Sequence, residues 1–334
     1  MSATLTGSAL LTRFYQKYGL DDTTSQARVL EWINEVLLDI SHEHPWDFLK
    51  FRLKKSVSSG EQWVDLSPQI PAAPSAAIAA GGSLTDGSTY AVKVTFLLFT
   101  DSGAREFDSI ESQPSAASST VTGTAANKTI NLTAIPTYTD AAAHAPTTIH
   151  RRVYLSKDSG AFILSSTITD NTTTTLSITS ESSSVIEPPE FSMVDRMAAE
   201  DIFLITQGYQ LRKTTKDEIL KQDPGLSSTG TPTHYARDGR KAFLWPRPSA
   251  TLTISYFVIK RPSYIFNDSS RVVQLEPFLK PALDAGAVWK GYEYKDQDGQ
   301  ESKRSNYDDA ISRAKNMSQK EYGKFLSVQD SEWS

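Results

Sequence analysis

The chain has 334 residues, of which 39% are hydrophobic and 22% are charged, and its formal net charge is −5. This length is sufficient for two domains of ordinary size. The acidic balance lacks the basic footprint of tight nucleic-acid binding, and the absence of cysteine excludes disulfides and thiolate metal sites. No run approaches the roughly 18 apolar residues of a membrane span and no signal-peptide pattern is present, so we expect no membrane partner.

Two helices are predicted in the first part of the chain. A short apolar stripe occupies residues 7–18, and a longer one follows between Asp21 and His44. Pro45 ends the second helix, because the residue before a proline is pushed out of the α region. The apolar residues of this helix recur at helical spacing, and they are Val29, Trp32, Ile33, Val36, Leu37 and Ile40. A helix this apolar on one face is unstable alone, so we expect it to pack on other helices of the chain.

Strands are predicted after the second helix. Residues 51–57 and 62–66 are expected to pair as a β-hairpin, since the Ser-Ser-Gly between them favours a turn. Residues 70–84 are rich in proline, alanine and glycine, and we interpret them as a flexible crossing into a different composition.

The middle of the chain has the period of β-strands. Tyr90, Val92 and Val94 share one face of a long predicted strand, and further short strands separated by turns continue to residue 178. About seven short strands within roughly 100 residues, without helical periodicity, are typical of a β-sandwich.

After Pro188 the composition reverts to that of the first part. Residues 190–207 fit either a short helix or a strand. Thr215 is the predicted N-cap of a short helix, because acidic residues follow it in the first turn. Three predicted strands complete this part, at 233–236, 241–245 and 251–260. An Asp-Gly pair joins the first two as a hairpin.

Two helices are predicted in the last part of the chain. The first begins at Pro277, a first-turn position that suits proline, and the second carries an apolar stripe from Tyr307 to Met317. We expect these helices to be the packing partners of the helix between Asp21 and His44. The expected core-packing residues are Trp32, Ile33, Val36, Ile40, Trp46 and Trp289. The predicted fold class is α+β: a helical core with a small antiparallel sheet, interrupted by an inserted all-β sandwich.

No pattern of catalytic residues is present in the sequence. It contains no cysteine nucleophile, no serine in a nucleophile elbow and no phosphate-binding glycine loop. His42 and His44 form the only local histidine pair, and because they end a helix we interpret them as contacts to its dipole rather than as metal ligands. We therefore expect no enzyme, no cofactor and no metal.

Basic residues cluster in two places. Lys50, Arg52 and Lys54 alternate along a predicted strand, with Lys55 beside them. Along or beside the last helix lie Lys303, Arg304, Arg313 and Lys315. A solvated face is the simpler interpretation of both clusters, and contact with an anionic partner is the alternative.

The segment 318–334 carries aromatic and apolar residues among charges. These residues are Tyr322, Phe325, Leu326 and Trp333. The segment is either a frayed end or a binding segment that orders on a partner with these side chains as anchors.

Four stretches together carry a resemblance to a known family. They are residues 28–49, 188–195, 230–248 and 256–263, the last followed by the two final helices. Their order resembles that of the head-to-tail adaptor, or connector, proteins of tailed bacteriophages, over about residues 8–68 and 188–325.

The resemblance implies a division of the chain. Residues 1–69 and 188–325 would form a discontinuous adaptor core, and residues 318–334 a C-terminal tail. Residues 70–187 depart from the family pattern and resemble an inserted immunoglobulin-like or fibronectin type III module. We expect this insertion to lie at the outer edge of the assembly and to be dispensable for it.

The resemblance also implies a function. Adaptors of this family form a homo-oligomeric ring, commonly a dodecamer, under the portal protein in the neck of the virion, and the virion is assembled in the host cytoplasm. The ring would bind a downstream tail or nozzle protein and let DNA pass without sequence-specific binding. Tyr322, Phe325, Leu326 and Trp333 would then be the portal-binding residues of the tail.

Two rival functions are considered. The protein could be a tail or surface protein whose β-sandwich binds host glycan, with Trp63, Tyr90 or Tyr154 as exposed stacking platforms. It could also be a glycosidase whose two carboxylates meet only on folding, although the sequence nominates no particular pair.

Overall fold

The computed structural model describes residues 8, 12, 23–44, 46, 49–99, 109–139, 148–184, 186–189, 194–260, 275–294 and 298–329. The chain divides into two compact units. The helical unit comprises Met1–Leu49 and Arg261–Ser334, and the sheet unit comprises Lys50–Lys260. Apart from residues 8 and 12, the predicted 7–18 helix lies outside the described residues.

The described α-helices are α1 (Thr23–Glu43), α2 (Lys216–Gln222), α3 (Lys280–Tyr294) and α4 (Gln300–Gln329). Within the helical unit, α3 packs against both α1 and α4. The ring of Trp32 on α1 lies 5.8 Å from that of Tyr294 on α3. The prediction that the helices from the two ends of the chain pack together is therefore confirmed. A 3₁₀ turn at Pro277–Leu279 precedes α3.

Nineteen strands are described, all in the sheet unit, and the first eleven are β1 (Lys50–Val57), β2 (Trp63–Asp65), β3 (Ser75–Ala79), β4 (Gly81–Gly82), β5 (Thr89–Phe99), β6 (Ser109–Glu111), β7 (Val121–Thr122), β8 (Asn127–Thr133), β9 (Ile149–Lys157), β10 (Ile163–Ile168) and β11 (Leu176–Ile178). The other eight are β12 (Val194–Leu204), β13 (Tyr209–Gln210), β14 (Arg212–Thr214), β15 (Thr229–Gly230), β16 (His234–Asp238), β17 (Lys241–Trp245), β18 (Arg247–Pro248) and β19 (Leu252–Lys260).

The strands on either side of the sandwich form an antiparallel sheet in the order β1-β19-β12-β13. Strand β1 pairs with β19 along its whole length, from Lys50 opposite Ile259 to Val57 opposite Leu252. The predicted hairpin between β1 and β2 is wrong, because β2 pairs instead with β17 in a different sheet. The residues between the two strands do form a turn, in which the Glu61 N–H donates to the Ser58 carbonyl at 3.1 Å, but distant segments supply the partners of both strands.

Two sheets form a β-sandwich between residues 75 and 178. One has the order β10-β9-β5-β6 with β7 beside β5, and the other has the order β11-β8-β3 with β4 beside β8. Apolar side chains from both sheets enclose one core, among them Val92, Val153 and Ile130. The strands predicted at β5, β8, β9, β10 and β11 are confirmed, but β6 was not predicted, and β3 and β4 lie where we expected a flexible crossing. An immunoglobulin-like identity for the sandwich stays a prediction.

A larger apolar core joins this sandwich to the sheet beside it. Phe96, Leu98 and Ile110 of the sandwich belong to the same buried cluster as Phe51 of β1 and Tyr256 of β19. One end of the sandwich therefore contributes to the core of the neighbouring sheet.

The predicted fold class, α+β with a helical core, is wrong. Of the described residues, 37% lie in strands and 27% in helices, so the protein is mostly β. The reason lies in the strands flanking the sandwich: alternate apolar residues of β1 and β19 are buried in a core that these strands share with the sandwich.

A fourth sheet has the order β14-β16-β17-β2, and Ile219 of α2 packs against Ala236 and Phe243 of its central strands. Thr215 caps α2 as predicted: its side chain accepts a hydrogen bond from the Glu218 backbone N–H, and the Glu218 side chain accepts one from the Thr215 N–H. The hairpin of β16 and β17 is also confirmed.

Candidate functional site

Five of the six expected core-packing residues are buried in the helical unit. Trp32 is 8% exposed and Ile33, Val36, Ile40 and Trp46 are at most 1% exposed. All but Trp46 lie on α1. Val36 and Trp32 of this helix lie against Gly286 and Gly291 of α3, so α1 and α3 approach closely because α3 carries no side chain at those positions.

The sixth, Trp289, is half-buried and stacks on Tyr307 of α4, with ring centroids 5.6 Å apart. The Trp289 Nε1 and the Tyr307 hydroxyl are both buried, and neither has a hydrogen-bond partner among the described residues. Burial raises the pKa of Tyr307, so this phenol stays neutral.

Trp46 has a second role at the end of α1. Its indole Nε1 donates a 2.6 Å hydrogen bond to the Ile40 carbonyl, one of the carbonyls that the helix end leaves without an internal partner. The ring also makes an edge contact with His44 at 4.7 Å. The aromatic residue after the proline therefore fixes how α1 ends.

Two ion pairs hold α1 against the C-terminal helices. Lys290 of α3 lies 3.4 Å from Glu35, and Lys315 of α4 lies 2.7 Å from Glu43. Both carboxylates are about half exposed, so these pairs contribute little stability and instead favour one alignment of the helices.

The long helix α4 has a regular buried face. Its buried positions are Tyr307, Ile311, Ala314 and Ser318. These positions are separated by four, three and four residues. The same spacing in the sequence continues at Tyr322 and Phe325, and Leu326 directly follows Phe325. All three lie in α4, which ends at Gln329, whereas Trp333 lies outside the described residues.

The two C-terminal helices, α3 and α4, differ in length. Helix α3 has 15 residues and α4 has 30, which correspond to about 22 Å and about 45 Å. Helix α4 is therefore about twice as long as the neighbour it packs against, and its apolar pattern continues beyond the length that α3 can cover.

Side chains of both predicted basic clusters contact neighbouring groups of the protein. Arg52 Nε donates to Ser255 Oγ at 2.6 Å, and Lys55 Nζ donates to the Asp65 carbonyl at 2.5 Å. Lys303 and Arg304 lie over the rings of Tyr292 and Trp289, at 5.2 Å and 5.5 Å. These contacts favour the interpretation of both clusters as structural surfaces rather than as a polyanion-binding strip.

Two of the three aromatic residues considered as glycan-stacking platforms are buried. Tyr90 and Tyr154 are at most 1% exposed, and their hydroxyls donate to Glu181 and Glu111 respectively. Trp63 is 37% exposed and remains available.

A buried polar network in the sandwich was not found by sequence reasoning. Glu111, 5% exposed, accepts hydrogen bonds from Thr95 Oγ1 at 2.5 Å, Tyr154 at 2.5 Å and Arg152 at 2.8 Å. Burial raises the pKa of Tyr154, and the charge of Glu111 adds to that shift. No sequence signal connects these residues, because 41 positions separate Glu111 from Arg152. The Glu111 carboxylate is therefore satisfied by side chains of the sandwich itself.

Serines spaced three apart form a second feature that we missed. Ser112, Ser115 and Ser118 each accept a hydrogen bond at Oγ from a backbone N–H of β5, at 2.9 to 3.0 Å. Their own N–H groups donate back to β5 carbonyls at 2.8 Å. The regular spacing was a usable signal for this ladder of serines along the strand.

No metal-binding group of three or more histidine, cysteine or carboxylate side chains occurs among the described residues. His42 lies in the last turn of α1, as expected for a contact to the helix dipole. Within the described part of the chain, no helix is both long enough and apolar enough to span a bilayer.

The sequence profile of the SU10 adaptor protein family matches residues 125–328. The match covers more than half of the chain, and the chain belongs to this family. It is a family of phage head-to-tail adaptors, so the resemblance found in the sequence is confirmed.

Family membership has direct consequences. The protein is a structural component of a phage virion and associates with other capsid and tail proteins. The matched range begins within the sandwich and includes β8 to β19, α2, α3 and α4 as far as residue 328. No curated protein matches the chain.

Proposed function

We propose that this protein forms a dodecameric ring in the phage neck, which joins the portal to a downstream tail or nozzle protein and lets DNA pass. It assembles in the host cytoplasm and acts by binding rather than by catalysis. Membership of an adaptor family supports this role. The net charge of −5 agrees with a channel protein that surrounds DNA without holding it.

We assign portal attachment to residues 318–334. The single observation that carries this assignment is the continuation of α4 to Gln329, past the length of α3, with the apolar spacing maintained at Tyr322 and Phe325. Leu326 and Trp333 complete the set of anchors. An apolar helix face of this kind binds a groove through residues spaced three and four apart.

Truncation after Tyr322 tests this proposal. We expect the shortened chain to keep its secondary structure and melting temperature, because the buried face of α4 up to Ser318 is retained. It should no longer attach to purified portal complexes, as judged by co-sedimentation and by negative-stain microscopy.

A matched pair of double variants separates the apolar anchors from helix length. F325A/L326A should lose attachment, whereas K324A/S327A, which changes neighbouring polar residues on the same helix, should keep it. Attachment by the truncated chain would contradict the assignment of the tail, and the absence of rings under all assembly conditions would contradict the adaptor ring itself.

A further inference from the structure

The short strand β2 lies at the edge of its sheet. Its central residue Val64 is buried, while Trp63 and Asp65 are exposed. The Leu244 N–H donates to the Gln62 carbonyl and the Leu66 N–H donates to the Arg240 carbonyl, each at 2.8 Å. In an antiparallel pair the bonding residues alternate, so the backbone groups of Trp63 and Asp65 point away from β17.

The outer edge of β2 is only partly occupied. Lys55 Nζ donates to the Asp65 carbonyl at 2.5 Å, which protects one end of the edge. No strand pairs with β2 on this side within the described residues. The N–H and C=O of Trp63 are therefore placed to bond a further extended segment.

Trp63 provides an apolar anchor at this edge. Its ring makes an edge contact with Phe243 at 4.8 Å, and Lys216 Nζ lies 5.1 Å from its centroid. The ring is held from one side and 37% exposed on the other. A tryptophan fixed in this way is typical of an interface hot spot.

A groove of about 730 Å³ adjoins the same edge. Its charged lining residues are Lys55, Asp65, Asp238, Arg240 and Lys241. Ile70, 52% exposed, adds an apolar surface. Arg240 and Lys241 are exposed and make no ion pair within the part of the chain that the structure describes. The groove thus combines two available cations with an apolar patch in a protein of net charge −5.

We propose that this groove and the outer edge of β2 bind an extended, acidic peptide segment of another virion protein. The segment adds as a strand at Trp63, its carboxylates meet Arg240 and Lys241, and an apolar side chain covers Ile70. The open N–H and C=O groups of Trp63 pair with a peptide backbone and not with a sugar-phosphate chain, so this edge favours a peptide over nucleic acid. The virion location of the partner rests on the proposed function, whereas the binding surface does not.

The test uses the full chain and a fluorescein-labelled octapeptide of alternating aspartate and valine. We expect the peptide to bind in fluorescence anisotropy at low salt. The R240E/K241E variant should bind it at least about tenfold more weakly, because two charge-assisted contacts are lost. The control K221E/R313E makes the same change of net charge at exposed residues outside the groove and should bind like the natural chain.

Further probes define the outcomes that would overturn the proposal. An octapeptide of alternating lysine and valine and an oligothymidine of the same length should not bind. Equal binding of the acidic peptide by R240E/K241E and by the control, or stronger binding of the oligothymidine, would rule out a site for an acidic strand. W63A should also weaken peptide binding, and circular dichroism melts establish that each variant is folded.

The peptide-binding test and the portal-attachment test have independent outcomes. Peptide binding by a chain that never attaches to portal complexes would remove the tail assignment and leave the groove. Portal attachment without peptide binding would remove the groove alone.

Discussion

At the scale of single residues, Gly286 shows how tightly the helices of the helical unit meet. A Cβ added there would lie 2.5 Å from Val36 Cγ1 and 2.9 Å from Tyr307 Cδ2. Those distances are shorter than van der Waals contact. Helices α1 and α4 can therefore pack this closely on α3 only because residue 286 has no side chain.

We expect Gly286→Ala to destabilise the helical unit. Overpacking costs about 1–3 kcal/mol, which outweighs the gain of up to about 1 kcal/mol that alanine brings to a helix interior. Thermal melts followed by circular dichroism at 222 nm would measure the change. Gly291→Ala on the same helix is the comparison: its Cβ would lie 3.2 Å from the Trp32 ring, a contact that a small shift of the ring relieves, so this variant should be destabilised less. Equal melting temperatures for the two variants would contradict the tight crossing at Gly286.

Glu181 is a second residue with a measurable effect. It accepts hydrogen bonds from Thr85 Oγ1 at 2.6 Å and the Tyr90 hydroxyl at 2.7 Å, and Lys157 lies 3.0 Å away. These contacts lower the pKa of Glu181 from 4.5 to about 2. A carboxyl whose pKa is lowered by folding contributes stability above its unfolded pKa and loses it as the pH falls through the folded value.

We therefore expect Glu181→Gln to flatten the acid side of the stability profile. The natural chain should melt at a higher temperature than the variant at neutral pH, and the difference should shrink as the pH falls from 4.5 to about 2. Melting temperatures across this range would measure it, with Asp86→Asn as a control at an exposed carboxylate nearby. A difference that is constant with pH would show that the ionised form of Glu181 is not what stabilises this corner.

At the scale of elements, strand pairing separated what was predictable from what was not. The residues that form β1, β5, β9, β17 and β19 were all predicted as strands from their alternation. The partner of β1 is β19, with Leu53 opposite Tyr256, some two hundred positions away. Alternation is a local property, whereas the choice of partner depends on burial that distant segments supply. The polar network of Glu111 escaped prediction for the same reason.

The shared core also changes what we expect of the sandwich. The sequence suggested that the insertion is dispensable, so that a chain with Pro71–Pro188 replaced by a short linker would still form rings. In the structure Phe96, Leu98 and Ile110 complete the core around Phe51 and Tyr256. Removal of the sandwich would expose that core, and we now expect the linker variant to aggregate rather than assemble.

A pair of point variants tests this coupling in the intact chain. Leu98→Ala and Leu132→Ala each remove a buried leucine at a cost of about 2–5 kcal/mol. Only Leu98 belongs to the shared core, so hydrogen exchange of the β1 amides should accelerate in Leu98→Ala and not in Leu132→Ala. A linker variant that melts cooperatively, or equal exchange of β1 in both variants, would show that the sandwich is an independent body.

At the scale of the whole molecule, the chain contains a helical unit built from its two ends and a sheet unit built from residues 50–260. The charge balance fits an assembly role at this scale: the basic residues near β1 and α4 bond to neighbouring groups, while the net charge remains −5. Binding to DNA is therefore not what we expect to hold the assembly together. We expect contacts between proteins to hold the assembly together. The outer half of α4 and the edge of β2 are the surfaces that we assign to those contacts.

The sequence by itself determined the four described α-helices, most of the described strands, the cap at Thr215 and the family to which the chain belongs. These follow from residue spacing and from the order of segments, both of which are written along the chain. Only the tertiary structure decided that β1 pairs with β19, that β2 is left at an edge, and that the sandwich shares its core with the adjoining sheet. Burial depends on which distant side chains arrive at the same place, and spacing along the chain carries no record of that.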